Sequence, residues 1–127
     1  MASVVLDTSA LLAFVHGEPG GQMVARLIGD AAMSAVNFAE AVTKLVNRGA
    51  SLDQAKHVLS FAEVDIIDFD RRQAEATGAL VSRTRSQSLS LGDRACLTLA
   101  MELGLPAVTA DPSWKSLGVN VTVQVIR

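Results

Sequence analysis

Short apolar runs alternate along the chain with longer segments whose apolar residues recur at helical spacing. The short runs predict strands at residues 4–6, 31–36, 64–69, 106–110 and 119–126. The segments between them predict helices at residues 10–15, 22–28, 37–48, 51–62, 70–86 and 91–103. This alternation predicts an α/β fold with a central, mostly parallel sheet of four to five short strands and helices on both faces.

Length and composition restrict the possible classes of protein. The 127 residues predict a single domain, 1–127, and half of them are hydrophobic, so we expect apolar surface to remain for a second subunit or partner. The net charge of −2 attracts no nucleic acid in bulk, so such a contact needs a local basic patch. The sequence holds no bilayer-length apolar run and no leader pattern. With one cysteine, Cys96, which we expect to be a small buried hydrophobe, it fits the cytoplasm.

Two aspartates directly follow predicted strands. Asp7 ends the first strand and Asp111 ends the fourth, and each could simply begin a helix or a turn. If these two strands are parallel neighbours, their carboxyl ends meet at the edge where open α/β sheets bind ligands. The order of the strands therefore decides whether the two carboxylates converge.

A third aspartate, Asp93, begins a predicted helix on the side opposite its polar stripe. That stripe consists of Arg94, Thr98 and Glu102. A carboxylate turned toward a core is costly unless a partner satisfies it. The spacing of Ser90 and Asp93 is also that of a capping box, which is by itself a sufficient reason for an acid there. Capping and function both remain open for Asp93.

Glu40 has the weakest case on its own. It lies on the polar face of its predicted helix, with Asn37, Lys44 and Asn47 around it. The spacing of Glu40 and Lys44 is that of a surface ion pair worth about 0.3–0.5 kcal/mol. Periodicity gives Glu40 no further role.

A divalent cation would reconcile several carboxylates at one sheet edge. Converging carboxylates repel one another, and some stay protonated unless a cation neutralises them. Mg²⁺ or Mn²⁺ prefers oxygen ligands and binds through a few carboxylates, water and substrate phosphate. The two histidines, His16 and His57, are isolated and expected at the surface, so the sequence offers no zinc set.

Four short motifs occur in order across the chain: Val-Leu-Asp7-Thr-Ser, Asn37-Phe-Ala-Glu40, Leu-Ser-Leu-Gly-Asp93 and Thr109-Ala-Asp111-Pro-Ser-Trp114. Together they resemble the PIN domain family, specifically the VapC-type toxins of bacterial and archaeal toxin–antitoxin pairs. The resemblance implies a three-layer PIN-like fold. It also implies a catalytic and metal-binding cluster made of Asp7, Glu40, Asp93 and Asp111. Hydroxyl residues beside these acids would have at most a supporting role: Thr8, Ser9 and Thr109.

The resemblance further implies a metal-dependent endoribonuclease. One or two Mg²⁺ or Mn²⁺ ions would activate water for hydrolysis of an RNA phosphodiester, leaving 5′-phosphate and 3′-hydroxyl ends. Asp7 and Asp93 would be direct ligands, and Glu40 and Asp111 would coordinate through water or a second ion. The resemblance also implies a small antitoxin that blocks the acidic site, and the apolar surplus fits such a partner and a homodimer.

Arginines are the candidates to hold the RNA backbone, because the net charge of the chain does not. For any single one of them, a solvated helix face is the plainer explanation. The candidates are Arg71, Arg72, Arg83, Arg85 and Arg94.

Other functions remain open from the sequence alone. A PIN-like RNA-processing nuclease outside a toxin pair would use the same acids. A phosphatase of the haloacid dehalogenase type needs a second aspartate two positions after the first, where this chain has Ser9. A non-catalytic dimeric interaction module would use the acids only as helix caps and would not respond to Mn²⁺.

Overall fold

The computed structural model describes residues 1–127 and contains one five-stranded sheet. Its strands lie in the order β3-β2-β1-β4-β5, and all four neighbouring pairs are parallel. The predicted α/β class and parallel sheet are therefore confirmed. The strands are β1 (Val4–Leu6), β2 (Ala31–Ser34), β3 (Asp65–Ile67), β4 (Ala107–Thr109) and β5 (Val123–Val125).

Six α-helices connect the strands, and none is both long and apolar enough to cross a membrane. Three short 3-10 helices, Leu80–Arg83, Arg85–Gln87 and Pro112–Ser116, complete the connections. The α-helices are α1 (Thr8–His16), α2 (Gly21–Ala25), α3 (Ala35–Asn47), α4 (Leu52–Ser60), α5 (Arg71–Ala79) and α6 (Leu91–Leu103).

Strand β1 is buried on both of its faces, which is why it is a continuous apolar run. Val4 and Leu6 belong to an apolar cluster built with α1 to α4, whereas Val5 packs on the other face with Leu97 and Trp114. Helices therefore cover both faces of the sheet, as the alternation predicted.

The order of the strands puts a topological switch point at β1 and β4. From β1 the chain adds β2 and β3 on one side, and it later adds β4 and β5 on the other. Ligands of open parallel sheets bind outside the carboxyl ends of the strands at such a point. Asp7 and Asp111 follow these two neighbouring strands, so the condition set by the sequence is met.

Several predicted boundaries were wrong because local side chains compete for the backbone. The second strand stops at Ser34, whose hydroxyl accepts the Val36 N–H at 3.2 Å and begins α3. The predicted helix 70–86 ends at Ala79 and gives way to 3-10 turns. There the Thr84 hydroxyl donates to the Leu80 carbonyl at 3.1 Å, a bond that competes with regular helix.

Other elements are shorter than predicted. The predicted helix 22–28 ends at Ala25, because the Leu27 N–H bonds to the Val24 carbonyl three residues back, at 2.8 Å, in a tightened turn. The last strand shortens to Val123–Val125, because the Val121 N–H bonds back to the Val119 carbonyl at 2.9 Å. The strands at 64–69 and 106–110 shorten to three paired residues each.

The polar stripe of α6 packs against α5, so that Thr98 is buried and Arg94 half-buried, while Glu102 remains exposed at the end of the stripe. Thr98 is only 4% exposed, and its hydroxyl pairs with that of Thr77 at 2.9 Å. Arg94 Nη1 donates to the Thr77 carbonyl at 2.8 Å, while Glu102 accepts bonds from α5. A helix can hide a polar stripe when the neighbouring helix supplies matching polar groups.

Candidate active site

Asp7 lies where β1 ends and α1 begins, and it is 4% exposed. Its Oδ1 accepts the Ala10 N–H at 2.8 Å, which makes it the N-cap of the helix. Its Oδ2 accepts the Thr109 hydroxyl at 2.5 Å, and the Ser9 hydroxyl lies 2.8 and 3.0 Å from the two oxygens. Helix capping and inward placement are therefore combined in one carboxylate.

Burial makes the charge of Asp7 costly. It raises the pKa of Asp7 from 3.8 to about 6, with a smaller contribution from the charge of Asp93, although hydrogen bonds from Thr109, Ala10 and Ser9 act in the opposite direction. None of the three ion pairs in the protein involves any of the four predicted acids. The carboxylate is thus held by neutral donors and lacks a protein cation.

Two hydroxyls join the end of β1 to the end of β4. Thr109 Oγ1 donates to Asp7 and accepts the Asp111 N–H at 3.1 Å. Ser9 Oγ likewise accepts the Ala110 N–H at 2.9 Å. These bonds fix the orientation of Asp7 relative to the neighbouring strand.

The carboxylate of Asp111 is more peripheral than that of Asp7. It is exposed, and its Oδ1 accepts the Ser113 N–H at 2.9 Å, which begins the 3-10 helix Pro112–Ser116. The backbone of Asp111 therefore joins the Asp7 network, while its side chain lies at the rim.

Glu40 is held from α1 and α3, and the expected surface pair with Lys44 is wrong. Its Oε1 accepts the Thr8 hydroxyl at 2.7 Å and the Asn37 side-chain N–H at 3.2 Å. No ion pair with Lys44 forms. The partners come from another helix, which the periodicity of α3 does not reveal.

Glu40 also packs on the first turn of α6. Gly92 lies there without a side chain, and a Cβ at this position would lie 2.5 Å from the Glu40 Cδ. Asn37 Nδ2 donates to the Gly92 carbonyl at 3.0 Å. Helices α3 and α6 thus meet beside Asp93.

Asp93 occupies the first turn of α6 and is half-buried. Its Oδ2 accepts the Ser90 N–H at 3.0 Å, and its own N–H donates to Ser90 Oγ at 3.1 Å, so the predicted capping box forms. Cys96 is completely buried one turn further along α6. Burial raises the pKa of the Cys96 thiol, and the charges of Asp7, Asp93 and Glu40 raise it further. Glu40 contacts Thr8, which follows Asp7, and Gly92, which precedes Asp93, so these three acids lie in one region although they come from distant parts of the chain.

The available ligands fit a hard divalent cation. Carboxylate, hydroxyl and amide oxygens surround the switch point, and sulfur is represented only by the buried Cys96. As the side chains stand, no three acids, histidines or cysteines are placed to share one ion. Mg²⁺ usually binds through one or two carboxylates and completes its shell with water and phosphate, so it does not need a third protein ligand.

The arginines predicted to contact RNA fall into two groups. Arg94 and Arg72 are engaged within the protein, by the Thr77 carbonyl and by Glu102 respectively. The remaining three lie at the surface with weak contacts or none: Arg71, Arg83 and Arg85.

Sequence reasoning missed Asn37 and Gly92 as contributors to this site. Asn37 was placed on the polar face of its helix, yet it is 1% exposed. The available signal was a glycine in the first turn of a helix, where its low helix propensity needs a reason.

The parallel α/β sheet with carboxylates at its switch point defines the class of the protein. The family model of the PIN domain matches residues 4–120. The chain therefore belongs to the PIN domain family, which confirms the resemblance seen in the four motifs. No curated protein matches the sequence significantly.

Solved structures of toxin–antitoxin proteins have the same fold. The DNA-bound VapBC of Salmonella typhimurium matches with a TM-score of 0.76 and 14% identity over 100% of both chains. VapBC2 of Rickettsia felis, bound to a promoter DNA fragment, matches with a TM-score of 0.74 and 17% identity, over 96% of this chain and 97% of that chain. VapC20 of Mycobacterium tuberculosis, a toxin that cleaves the sarcin-ricin loop, matches with a TM-score of 0.71 and 19% identity, over 94% of this chain and 99% of that chain.

Proposed function

We propose that this chain is a VapC-type toxin that hydrolyses RNA with the help of Mg²⁺ or Mn²⁺. The observation that carries the proposal is that Glu40 contacts both Thr8, beside Asp7, and Gly92, beside Asp93, while none of the three acids forms an ion pair within the protein. Such a group of oxygens at a switch point is suited to a divalent ion and a phosphodiester.

Each acid has its own part in this proposal. Asp7 and Asp93 would hold the ion, which would supply a water of lowered pKa and neutralise charge developing on the phosphate. Glu40, oriented by Thr8, would accept a hydrogen bond from water at the ion. Asp111 at the rim would hold a second ion or its water shell.

Neutral groups keep the acids ready for this role. The hydroxyls of Ser9 and Thr109 hydrogen-bond the ionised form of Asp7 and limit the rise of its pKa. The surface arginines Arg83 and Arg85 precede the first turn of α6 along the chain and are the proposed contacts to the RNA backbone.

We also propose an antitoxin partner and a homodimer for this chain in the cytoplasm. The VapBC neighbours and the exposed apolar side chains support this, with Leu52 59% and Phe61 65% exposed. Co-expression with a small protein encoded beside this chain should suppress RNA cleavage. A purified chain that stays monomeric and binds no such protein would contradict this part.

The nuclease proposal is tested by incubating the purified chain with RNA in Mg²⁺ or in EDTA. The wild type should cleave only with the metal, and Asp93→Asn should reduce cleavage at least about a hundredfold, as expected for a lost metal ligand. Asp53→Asn is the matched control, because Asp53 is also a first-turn aspartate but lies on the exposed start of α4. Equal cleavage by the Asp93 variant would refute the proposal.

One observation favours a second function. Asp7, Asp93 and Asp111 all cap helices, as expected if the chain were a non-catalytic interaction module. In that case Mn²⁺ would leave the melting temperature unchanged, whereas a metal site predicts a rise.

A further inference from the structure

The side-chain amide of Asn37 lies between three elements of the site. Its Nδ2 is 3.2 Å from Glu40 Oε1, 3.3 Å from Thr8 Oγ1 and 3.0 Å from the Gly92 carbonyl oxygen. The residue is 1% exposed, so water does not compete for these bonds. One amide therefore connects α1, α3 and the first turn of α6.

Glycine at position 92 is needed for the same arrangement. The Glu40 carboxylate occupies the space that a Cβ would take, with its Cδ at 2.5 Å from that position. The Asn37 amide holds the Gly92 carbonyl, and Glu40 fills the space beside the Gly92 Cα. The spacing of α3 and α6 is thus fixed next to Asp93.

Stability alone does not account for the asparagine. Its Oδ1 is buried and has no hydrogen-bond partner. A buried polar atom without a partner is a cost, which an apolar side chain of similar volume would avoid. The amide is therefore better explained by what its N–H groups hold than by what the side chain adds to the core.

We propose that Asn37 is a positioning residue that holds the Glu40 carboxylate against the first turn of α6, beside Asp93. Its consequence for RNA cleavage rests on the proposed nuclease function. The contact itself does not, and the two are tested separately.

The test compares Asn37→Leu, which keeps the number and branching of the side-chain heavy atoms and removes the donor, with Asn47→Leu on the exposed end of the same helix. The melting temperature of Asn37→Leu is measured alongside, because the change removes an unpaired buried oxygen but also the donor to Glu40 and Gly92. The kcat for RNA and the affinity for Mn²⁺, measured by calorimetry, should each fall by about tenfold to a hundredfold, with KM nearly unchanged. Asn47→Leu should change neither.

A second variant separates positioning from folding. Asn37→Asp keeps the shape of the side chain but cannot donate to Gly92, so it should lose cleavage and Mn²⁺ affinity to a similar degree. Wild-type kcat and Mn²⁺ affinity in Asn37→Leu would overturn the proposal. The proposal would also be overturned if kcat and Mn²⁺ affinity fell in both variants only in proportion to the drop in melting temperature, and recovered on cooling.

The contact has a readout that does not depend on catalysis. Relative to the wild type, a Glu40→Gln variant that keeps Asn37 should show shifted side-chain NH₂ resonances of Asn37 in its NMR spectrum. The resonances of Asn47 should stay in place. Unshifted Asn37 resonances would refute the contact even if the protein cleaves RNA. A wild type that neither cleaves RNA nor binds Mn²⁺, but shows the shift, would refute the nuclease function alone.

Discussion

Replacing Asp7 with asparagine should stabilise the metal-free protein at neutral pH. Burial raises the pKa of Asp7 from 3.8 to about 6, so the folded protein holds this proton more tightly than the unfolded chain. By linkage, a shift of this size makes ionised Asp7 a cost of about 3 kcal/mol to the folded state. The carboxylate is almost fully buried, so solvent screening reduces this figure little.

The direction of the pH dependence follows from the raised pKa. Below pH 3.8 both states are protonated and Asp7 has no cost. Between about pH 4 and pH 6 the unfolded chain ionises first, so the free energy of unfolding falls as the pH rises, and above about pH 6 the whole cost is present. Asparagine at this position removes the fall in the free energy of unfolding with pH. It also weakens one hydrogen bond to Thr109, which reduces the stability gained by about 1 kcal/mol. The net gain is about 2 kcal/mol at pH 7, and at pH 4 and below it becomes a loss of up to about 1 kcal/mol.

Urea unfolding between pH 4 and pH 8 in EDTA measures this difference. At each pH the free energy of unfolding of the variant is subtracted from that of the wild type. The contributions of the other carboxylates cancel in this difference, because they titrate alike in both proteins. Replacing EDTA by free Mn²⁺ at about a hundred times its Kd should then raise the free energy of unfolding of the wild type by about 2.7 kcal/mol. The free energy of unfolding of Asp7→Asn should stay unchanged. A difference between the two proteins that is flat with pH, or an Asp7→Asn variant less stable at pH 7, would refute the reasoning.

Five further substitutions, arranged in three tests, probe the surroundings of the site. Gly78→Ala, in open space on α5, should gain about 0.5–1 kcal/mol in urea unfolding, whereas Gly92→Ala should gain less than this and lower the Mn²⁺ affinity, because its Cβ displaces the Glu40 carboxylate. Thr109→Val removes a donor that lowers the pKa of Asp7, so the acid limb of the pH–rate profile for cleavage should move to higher pH. Arg85→Ala should weaken RNA binding and reduce its salt slope by about one without changing the melting temperature, whereas Arg94→Ala should lower the melting temperature through its lost bond to α5.

Each of these has an outcome that contradicts it. Equal stability changes for the two glycine variants would show that Glu40 does not occupy the space beside Gly92. An unmoved acid limb in Thr109→Val would separate Asp7 from the rate-determining ionisation. A melting temperature of Arg94→Ala equal to the wild type would mean that its bond to Thr77 adds nothing.

The sequence predicts those parts of the site that local patterns determine. The apolar run before Asp7, the capping box at Ser90 and Asp93, and the parallel sheet all follow from spacing within a few residues, and each forms. The sequences of β1 and β4 do not predict that these two strands are neighbours, because strand order depends on how the whole chain packs.

The parts that sequence could not predict depend on contacts distant along the chain. Glu40 is a surface residue by periodicity, and only Thr8 on α1 and Gly92 on α6 make it part of the site. Thr98 belongs to a polar stripe but is buried, because α5 supplies Thr77 opposite it. In both cases a polar partner from another helix overrides the local pattern.

We propose that acids distant in sequence form one cation site at the switch point of the sheet. Titration with Mn²⁺, followed by the EPR signal of the free ion, measures this site without any need for catalysis. We expect one or two bound ions for the wild type and for Asp53→Asn, and loss of binding in both Asp7→Asn and Asp93→Asn. Unchanged Mn²⁺ binding in these last two variants would contradict it.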